Sequence, residues 1–313
     1  MRRILSIDAG GVRGIIPATI LAEVEARTGQ PVSSLFDFFA GTSTGGMLVL
    51  SLNRPVMPGC PRPLSSATEV AGLFCEWGNR AFGNKLLKLN QPIEESGNGI
   101  EGLFREFFGE ALLSDSIKPT LVTAFDLTTG QPVFLSSAEA ARNVGGSDVL
   151  MRQAARATTA VSPHFSPLRL SLSDAPFGRA REACLIDGSL FASNPAICAL
   201  AEARSLFPGE DDHLLISLGC GEASQQKKRR RIFDFYLSAQ SACVDSQMRA
   251  FLPPQRYIRI QPDLAPGCDR IDDTSEQNLR ALQRIARETI ARNEELLDQL
   301  VDLLAPKMAA AIA

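Results

Sequence analysis

The stretch Phe38-Phe39-Ala40-Gly41-Thr42-Ser43-Thr44-Gly45-Gly46 constrains this chain more than any other. An apolar run, Phe36 with Phe38, Phe39 and Ala40, reads as a buried strand that stops at Gly41. An apolar, helix-compatible segment, Met47 to Leu52, starts just after Gly45. Small residues on both sides of Ser43 let the chain bend sharply and leave its hydroxyl at a helix N-terminus. Gly41-Thr42-Ser43-Thr44-Gly45 thus fits the Gly-x-Ser-x-Gly pattern of a nucleophile elbow. The same pentapeptide also makes an ordinary Gly/Ser/Thr-rich turn, so the rest of the chain must decide.

A second glycine-rich turn precedes it. Residues 3–8 form a short apolar strand ending at Asp8, then come Ala9-Gly10-Gly11-Val12-Arg13-Gly14 and an amphipathic helix through Glu25. Pro17 suits the first turn of that helix, where a missing N–H costs little. Free N–H groups and the helix dipole at such a loop favour negative charge. A dinucleotide-binding turn wants Gly-x-Gly-x-x-Gly, but position 9 is Ala, so only Gly11 and Gly14 fit. It also wants an acidic residue after the second strand, which ends instead at Gly41-Thr42-Ser43. An oxyanion hole is the other functional reading, and a plain strand-to-helix turn the third. With Ser43 at the parallel position on the next strand, the oxyanion reading leads.

Further on, residues 54–66 are a Pro-rich loop and 67–80 a helix. Residues 81–102, mixed Gly, Asn, Lys and Glu with scattered Leu, are a candidate flexible cap over the site. Helices are expected over 103–113 and 149–161, and strands over 121–127 and 131–135 around the turn Thr128-Thr129-Gly130. Ala183-Cys184-Leu185-Ile186 is a buried strand that ends in Asp187-Gly188. A helix starts near Asn194-Pro195, and a strand over 214–218 ends at Gly219. After the basic run Lys227-Lys228-Arg229-Arg230-Arg231 come a helix over 233–252 and a strand at Tyr257–Ile260. The last long helix opens with a capping box, Thr274…Gln277.

Near-continuous apolar strands separated by helices imply a mostly parallel sheet covered on both faces. There is no internal repeat and no linker, so residues 1–313 are expected to form one domain. Loops at the carboxyl ends of parallel strands meet in one crevice. Three such ends carry Gly10-Gly11, Ser43 and Asp187-Gly188.

A serine needs a base, and the chain has two His residues. His213 precedes the strand over 214–218 and so belongs at the opposite end of the sheet. His164, in Ser162-Pro163-His164-Phe165-Ser166-Pro167, can approach the site but reads better as a packed or surface residue. Asp187 is better placed. A free Asp titrates at about 3.9; desolvation in a closed site would raise this and let the carboxylate accept the Ser43 proton. The plainer reading of Asp187 is a turn cap. That of Asp8 is a turn former acting through its backbone.

Composition narrows the partners. A net charge of -3 gives no global attraction to nucleic acid or anionic membrane. Seven Cys, an odd number without Cys-x-x-Cys spacing, argue against a disulfide framework and a zinc site and for reduced thiols in the cytoplasm. The given sequence opens directly on an apolar strand, and no leader is expected. The charge-free run 38–53 is too short and too polar for a membrane span. A soluble, cytoplasmic protein is expected, free to work at a membrane surface, with no metal or cofactor.

The motifs together resemble those of the patatin-like lipid acyl hydrolases, relatives of cytosolic phospholipase A2. That family's Asp-Gly-Gly-Gly-x-Arg-Gly is similar to Asp8–Gly14, its Gly-x-Ser-x-Gly to Gly41–Gly45, and its Asp-Gly-Ala/Gly to Asp187-Gly188-Ser189. Weaker similarity covers 162–167, 215–219, 257–261 and 272–276, so the resemblance runs from residue 4 to about 280. It implies a three-layer α/β fold and a Ser–Asp dyad without His. Ser43 would be the nucleophile and Asp187 the general base. The Gly10 and Gly11 N–H groups would form the oxyanion hole, with Arg13 positioning the loop or the oxyanion. Two departures stand out. Ala9 replaces a glycine and would be strained if φ there is positive. Ser189 replaces a small apolar residue and brings a hydroxyl near Asp187.

The resemblance implies hydrolysis of acyl esters in phospholipids or galactolipids. It also implies a gated version, because some bacterial patatin-like enzymes are anti-phage effectors switched on by a cyclic nucleotide; no nucleotide site is legible in the sequence. A non-catalytic binding or storage protein on the same fold is a further alternative. The run Lys227–Arg231 is either a solvated loop or a contact for anionic headgroups, at roughly 1 kcal/mol per cation.

Overall fold

Continuous burial along a few short inner strands decides the architecture. In β1 (Arg2–Ile7) from Ile4 onward and throughout β2 (Phe38–Thr42), every residue is apolar or small and buried, so both faces must be covered. The computed structural model describes residues 1–82, 99–142, 148–162, 164–174, 179–223 and 232–305. After β1 come α1 (Ile15–Thr28) and α2 (Val32–Leu35); after β2 come α3 (Thr44–Asn53), α4 (Ala67–Phe82) and α5 (Ile100–Phe108). The hairpin β3 (Thr120–Asp126) and β4 (Gln131–Ser136) leads through α6 (Ser137–Ala141) to α7 (Met151–Thr158). A second antiparallel pair, β5 (Leu168–Asp174) and β6 (Arg179–Asp187), leads to α8 (Ser189–Ala192) and α9 (Ala196–Leu206). Next are β7 (His213–Leu218), β8 (Glu222–Ala223), α10 (Ile232–Phe251), β9 (Tyr257–Ile260) and β10 (Asp263–Leu264). Helices α11 (Glu276–Arg292) and α12 (Glu294–Leu304) follow.

The main sheet runs β5-β6-β3-β2-β1-β7-β9, with β4 also paired to β3. The inner pairs β3–β2, β2–β1, β1–β7 and β7–β9 are parallel. Ile4, Phe38, Ala40, Leu121 and Leu215 pack with Leu200 of α9 and Met248 of α10 on one face. Leu5, Ile7, Phe39, Val122 and Ile216 join α1, α3 and α7 on the other. The result is the expected three-layer α/β arrangement with a mostly parallel sheet.

Several local expectations change. Strand β2 runs through Gly41 to Thr42 and α3 begins at Thr44, so Ser43 alone makes the turn. Helix α5 starts earlier than expected and stops at Gly109, whose φ of 55° ends it. Helix α11 is capped by Ser275, whose hydroxyl accepts the Asn278 N–H at 3.3 Å, and not by a Thr274…Gln277 box. It breaks at Asn293, where the side chain turns back to donate to the Thr289 carbonyl at 2.8 Å. Most of the candidate cap (residues 83–98) and the basic run 227–231 lie outside the described residues.

The largest correction concerns strand direction. Strand β4 pairs along 121–126 of β3, β2 along 120–123 and β6 along 124–126. A strand has two edges, and β4 overlaps both partners, so β2 and β6 share the other edge. Strand β6 is antiparallel to β3 and ends at Asp187, where β2 also ends. Asp187 therefore does not arrive on a third parallel strand; it meets Ser43 head to head.

Candidate active site

Ser43 sits between β2 and α3 with φ 56° and ψ -123°, the single non-glycine residue with positive φ among the described residues. Such a conformation costs of order 1–3 kcal/mol and persists only where the surroundings impose it. Here the Ser43 N–H donates to Thr158 Oγ1 at 2.9 Å, at the end of α7. Gly45 makes the tight packing feasible, since a Cβ there would stand 2.2 Å from the Ile7 carbonyl oxygen.

Asp187 is buried at the end of β6, and its N–H donates to the Ala160 carbonyl at 3.2 Å. Its Oδ1 accepts the Ser189 N–H at 2.8 Å. Its Oδ2 is buried and has no hydrogen-bond partner among the described residues. Burial raises the carboxyl pKa to about 6, against the downward pull of the Ser43 hydroxyl and of the Ser189 N–H and hydroxyl. The serine at position 189 thus tempers Asp187, as its place beside the motif suggested. The Ser43 hydroxyl is thus near enough to act on the carboxyl, whose Oδ2 is open to a further donor.

The loop after β1 is held at its flanks and open at its centre. The Asp8 N–H donates to the Leu218 carbonyl at 3.0 Å, that of Ala9 to Ser193 at 2.9 Å, and that of Val12 to Ile271 at 3.0 Å. The Gly10 and Gly11 N–H groups have no acceptor among the described residues. Ala9 is not strained, because its φ is not positive. Gly11 is the position that demands glycine: its φ is 58°, and a Cβ would lie 2.2 Å from the Ile271 carbonyl oxygen. Arg13 braces the loop, with Nε donating to the Gly10 carbonyl and Nη1 to the Gly221 carbonyl, both at 3.2 Å. Gly14 packs against Thr44 and Phe74, which ties this loop to the start of α3.

Asp8 does more than turn the chain. Its carboxylate is buried against Arg259 of β9, a residue with no assigned part in the sequence analysis. The signal was a lone cation inside the short apolar strand Tyr257–Ile260. Thr158 was also missed, because α7 reaches the elbow only through the tertiary fold. His213 pairs with Arg2 at the amino end of β1, far along the sheet from the site. His164 does not line the cleft.

Gly10, Gly11, Arg13, Ser43 and Asp187 line one cleft of about 1450 Å³, open mouth included. Part of its wall is apolar, with Met47, Phe74, Leu103, Phe104 and Phe165, and Thr159, Ser193, Ser241 and Gln261 are among its polar lining residues. A cavity that joins an apolar wall to convergent polar groups suits a ligand with an apolar part and a polar linkage. Among the described residues no cluster of His, Cys, Asp and Glu is placed to hold a metal ion. No described helix is long and apolar enough to cross a membrane.

Patatin-like protein 2 of Oryza sativa subsp. indica is 29% identical over 355 residues, covering 95% of this chain and 86% of its own. Patatin-like protein 3 of Arabidopsis thaliana is 29% identical over 348 residues, covering 90% and 79%. A cGAMP-activated phospholipase of Pseudomonas aeruginosa is 26% identical over 302 residues, covering 90% and 83%. Human GIVD cytosolic phospholipase A2 superposes with a TM-score of 0.48 at 11% identity, over 97% of this chain and 60% of that one. The family model for patatin-like phospholipases matches residues 5–200, more than half of the sequence, and the chain belongs to the patatin-like phospholipase family.

Proposed function

We propose that this protein is a serine acyl hydrolase that cleaves fatty acyl esters of phospholipids or other acyl lipids with a Ser43–Asp187 dyad. One observation carries the reading: a serine on a strained elbow shares a partly apolar cleft with a carboxylate whose pKa is about 6. Ser43 Oγ attacks the ester carbonyl carbon while Asp187 takes its proton. The carbonyl oxygen gains the negative charge and is met by the free N–H groups of Gly10 and Gly11. Collapse breaks the bond to the leaving alcohol, which receives the proton from Asp187. Water then attacks the acyl-serine and gives its proton to Asp187, a second oxyanion forms and collapses, and the fatty acid leaves as Ser43 regains a proton. Arg13 holds the Gly10 carbonyl and thereby the direction of the neighbouring N–H groups.

The substrate reaches the cleft from a lipid surface. Leu190, 51% exposed, and Tyr236, 67% exposed, stand next in sequence to the cleft-lining residues Ser189 and Leu237 and offer apolar surface to a lipid. Contact with the membrane is peripheral and the protein is read as cytoplasmic, as one domain over residues 1–313. The test is product analysis on mixed phospholipid vesicles with wild type and Ser43→Ala. Free fatty acid is expected from wild type alone, and equal release by Ser43→Ala would exclude the dyad. Labelling of Ser43 by a fluorophosphonate separates this reading from a non-catalytic binding or storage protein.

The Pseudomonas relative named as a cGAMP-activated phospholipase favours a second reading, in which the same chemistry waits for a cyclic nucleotide. Vesicle hydrolysis with and without a panel of cyclic di- and trinucleotides decides it. No stimulation across the panel removes the gated version.

A further inference from the structure

The carboxyl end of β1 carries a buried charge pair that acyl transfer does not itself use. The Asp8 and Arg259 side chains are each 5% exposed. They meet as a fork, Nη1 to Oδ1 at 3.2 Å and Nη2 to Oδ2 at 2.6 Å. Strand register explains the reach. Ser6, Ser217 and Arg259 form one row across β1, β7 and β9, on the face covered by α9 and α10. From that row the guanidinium extends forward, donates to Ser217 Oγ at 2.6 Å and continues to Asp8. Helix α10 closes over it, with Ser241 Oγ accepting from Nη2 at 3.0 Å. Burial works against the charge on Arg259, but the Asp8 carboxylate outweighs it and the guanidinium pKa is raised.

A buried ion pair is a poor way to gain stability, because a well-packed apolar pair does as well or better. What a two-bond fork supplies is direction. Asp8 is the last residue before the loop, and its backbone is held as well: the carbonyl accepts the Cys220 thiol at 3.3 Å. Two and three residues further on, Gly10 and Gly11 line the cleft, and their peptide N–H groups have no acceptor among the described residues. Ser241 lines the same cleft, so the arginine also ties its α10 wall to the loop.

We propose that Arg259 is a positioning residue for acyl transfer: its fork on Asp8 fixes where β1 ends, and so where the Gly10 and Gly11 N–H groups meet the developing oxyanion. This rests on the reading of Ser43 and Asp187 as the acyl-transfer dyad. Small displacements of such donors lower the rate of the chemical step while leaving ground-state binding in place.

Arg259→Lys keeps the charge and loses the fork. On a soluble acyl ester its kcat is expected to fall by about tenfold or more, with KM within about twofold of wild type. Fluorophosphonate labelling of Ser43 slows by the same factor, because the tetrahedral adduct needs the same donors. The midpoint of the pH–rate profile does not move, because Arg259 does not touch Asp187. The double variant Asp8→Asn/Arg259→Gln leaves no unpaired buried charge, so it guards against simple misfolding; folded by circular dichroism, it should show the same loss of kcat. A folded double variant with wild-type kcat overturns the proposal, as does an Arg259→Lys enzyme with normal kcat and labelling rate. If wild type is an active esterase and these variants are normal, this inference alone falls; a wild type without esterase activity removes the dyad reading as well.

Discussion

Asp187 stands one rung beyond Thr42 on the same edge of β3, Thr42 in register with Thr123 and Asp187 with Ala124. A chain of hydroxyls locks the junction. Thr42 Oγ1 donates to the Ala192 carbonyl at 2.6 Å, which leaves Thr123 Oγ1 to donate to Thr42 Oγ1 at 2.7 Å. Two strands running toward each other thus deliver Ser43 and Asp187 to one point, and each of the next turns leads into a helix.

Burial of the Asp187 carboxylate sets the pH dependence. With a carboxyl pKa of about 6, half of Asp187 is protonated near pH 6 and unable to accept the Ser43 proton. The kcat of a soluble acyl ester should rise from pH 4.5 through a midpoint near 6 to a plateau, a range in which an unburied Asp with pKa about 3.9 is already mostly ionised, about 80% at its lower end. Initial rates across that range check it. A plateau reached by pH 5 would contradict the raised pKa.

The local parts of this site were legible in the sequence, and the non-local parts were not. The elbow around Ser43 depends on five adjacent residues, and the oxyanion turn on Gly10 and Gly11. The end of a buried strand was also visible at Asp187. Its direction was not, because a short apolar run reads the same whether it pairs parallel or antiparallel. Strand β5 escaped notice although Leu168, Leu170 and Leu172 alternate with polar residues, the pattern of a half-buried outer strand. The Asp8–Arg259 fork needs the order β1-β7-β9, and strand order is not a property of any local window. At the start of α11, Thr274 and Ser275 both suit a cap, and tertiary placement selects Ser275.

Asp187 should also weaken the fold at neutral pH. Its folded pKa of about 6 exceeds the unfolded value of about 3.9, so the folded state holds the proton more tightly. The associated stability is fully present below pH 4 and is lost as pH rises through 6, a change of about 3 kcal/mol at 1.36 kcal/mol per unit. Asp187→Asn keeps an oxygen to accept the Ser189 N–H and removes the buried charge. It is expected to be inactive yet more stable than wild type at pH 8 by about 1–3 kcal/mol, with little gain at pH 4.5. Urea titrations at the two pH values measure this, and a variant less stable than wild type at pH 8 would count against it.

Two small residues of the glycine loop, Ala9 and Gly11, should behave oppositely. Ala9 has an ordinary backbone and its N–H is already used by Ser193, so Ala9→Gly should alter kcat by no more than about twofold. Gly11→Ala places a Cβ against the Ile271 carbonyl at a positive φ, which forces the loop to shift. Displacing an oxyanion donor lowers kcat by about 10²–10³. Steady-state rates on a soluble ester distinguish the pair, and equal kcat values for the two variants would contradict the assignment of the free N–H groups.

Thr158 holds the strained peptide at Ser43 from outside both motifs. Its Oγ1 is the acceptor for the Ser43 N–H at 2.9 Å, and the site is fully buried. Thr158→Val preserves the shape but leaves that N–H without a partner, at a cost of about 1–3 kcal/mol. Thr158→Ser keeps the hydroxyl. The elbow is the strained element, so relaxation of Ser43 out of its positive φ is the cheapest response to the loss. Thr158→Val should therefore lower kcat by more than the loss of folded protein accounts for, while Thr158→Ser retains most of it. Urea titration and burst labelling by a fluorophosphonate, measured on the same samples, separate the two effects. A Thr158→Val enzyme that labels as fast as wild type would mean that the strain at Ser43 is imposed by the Gly45 packing alone.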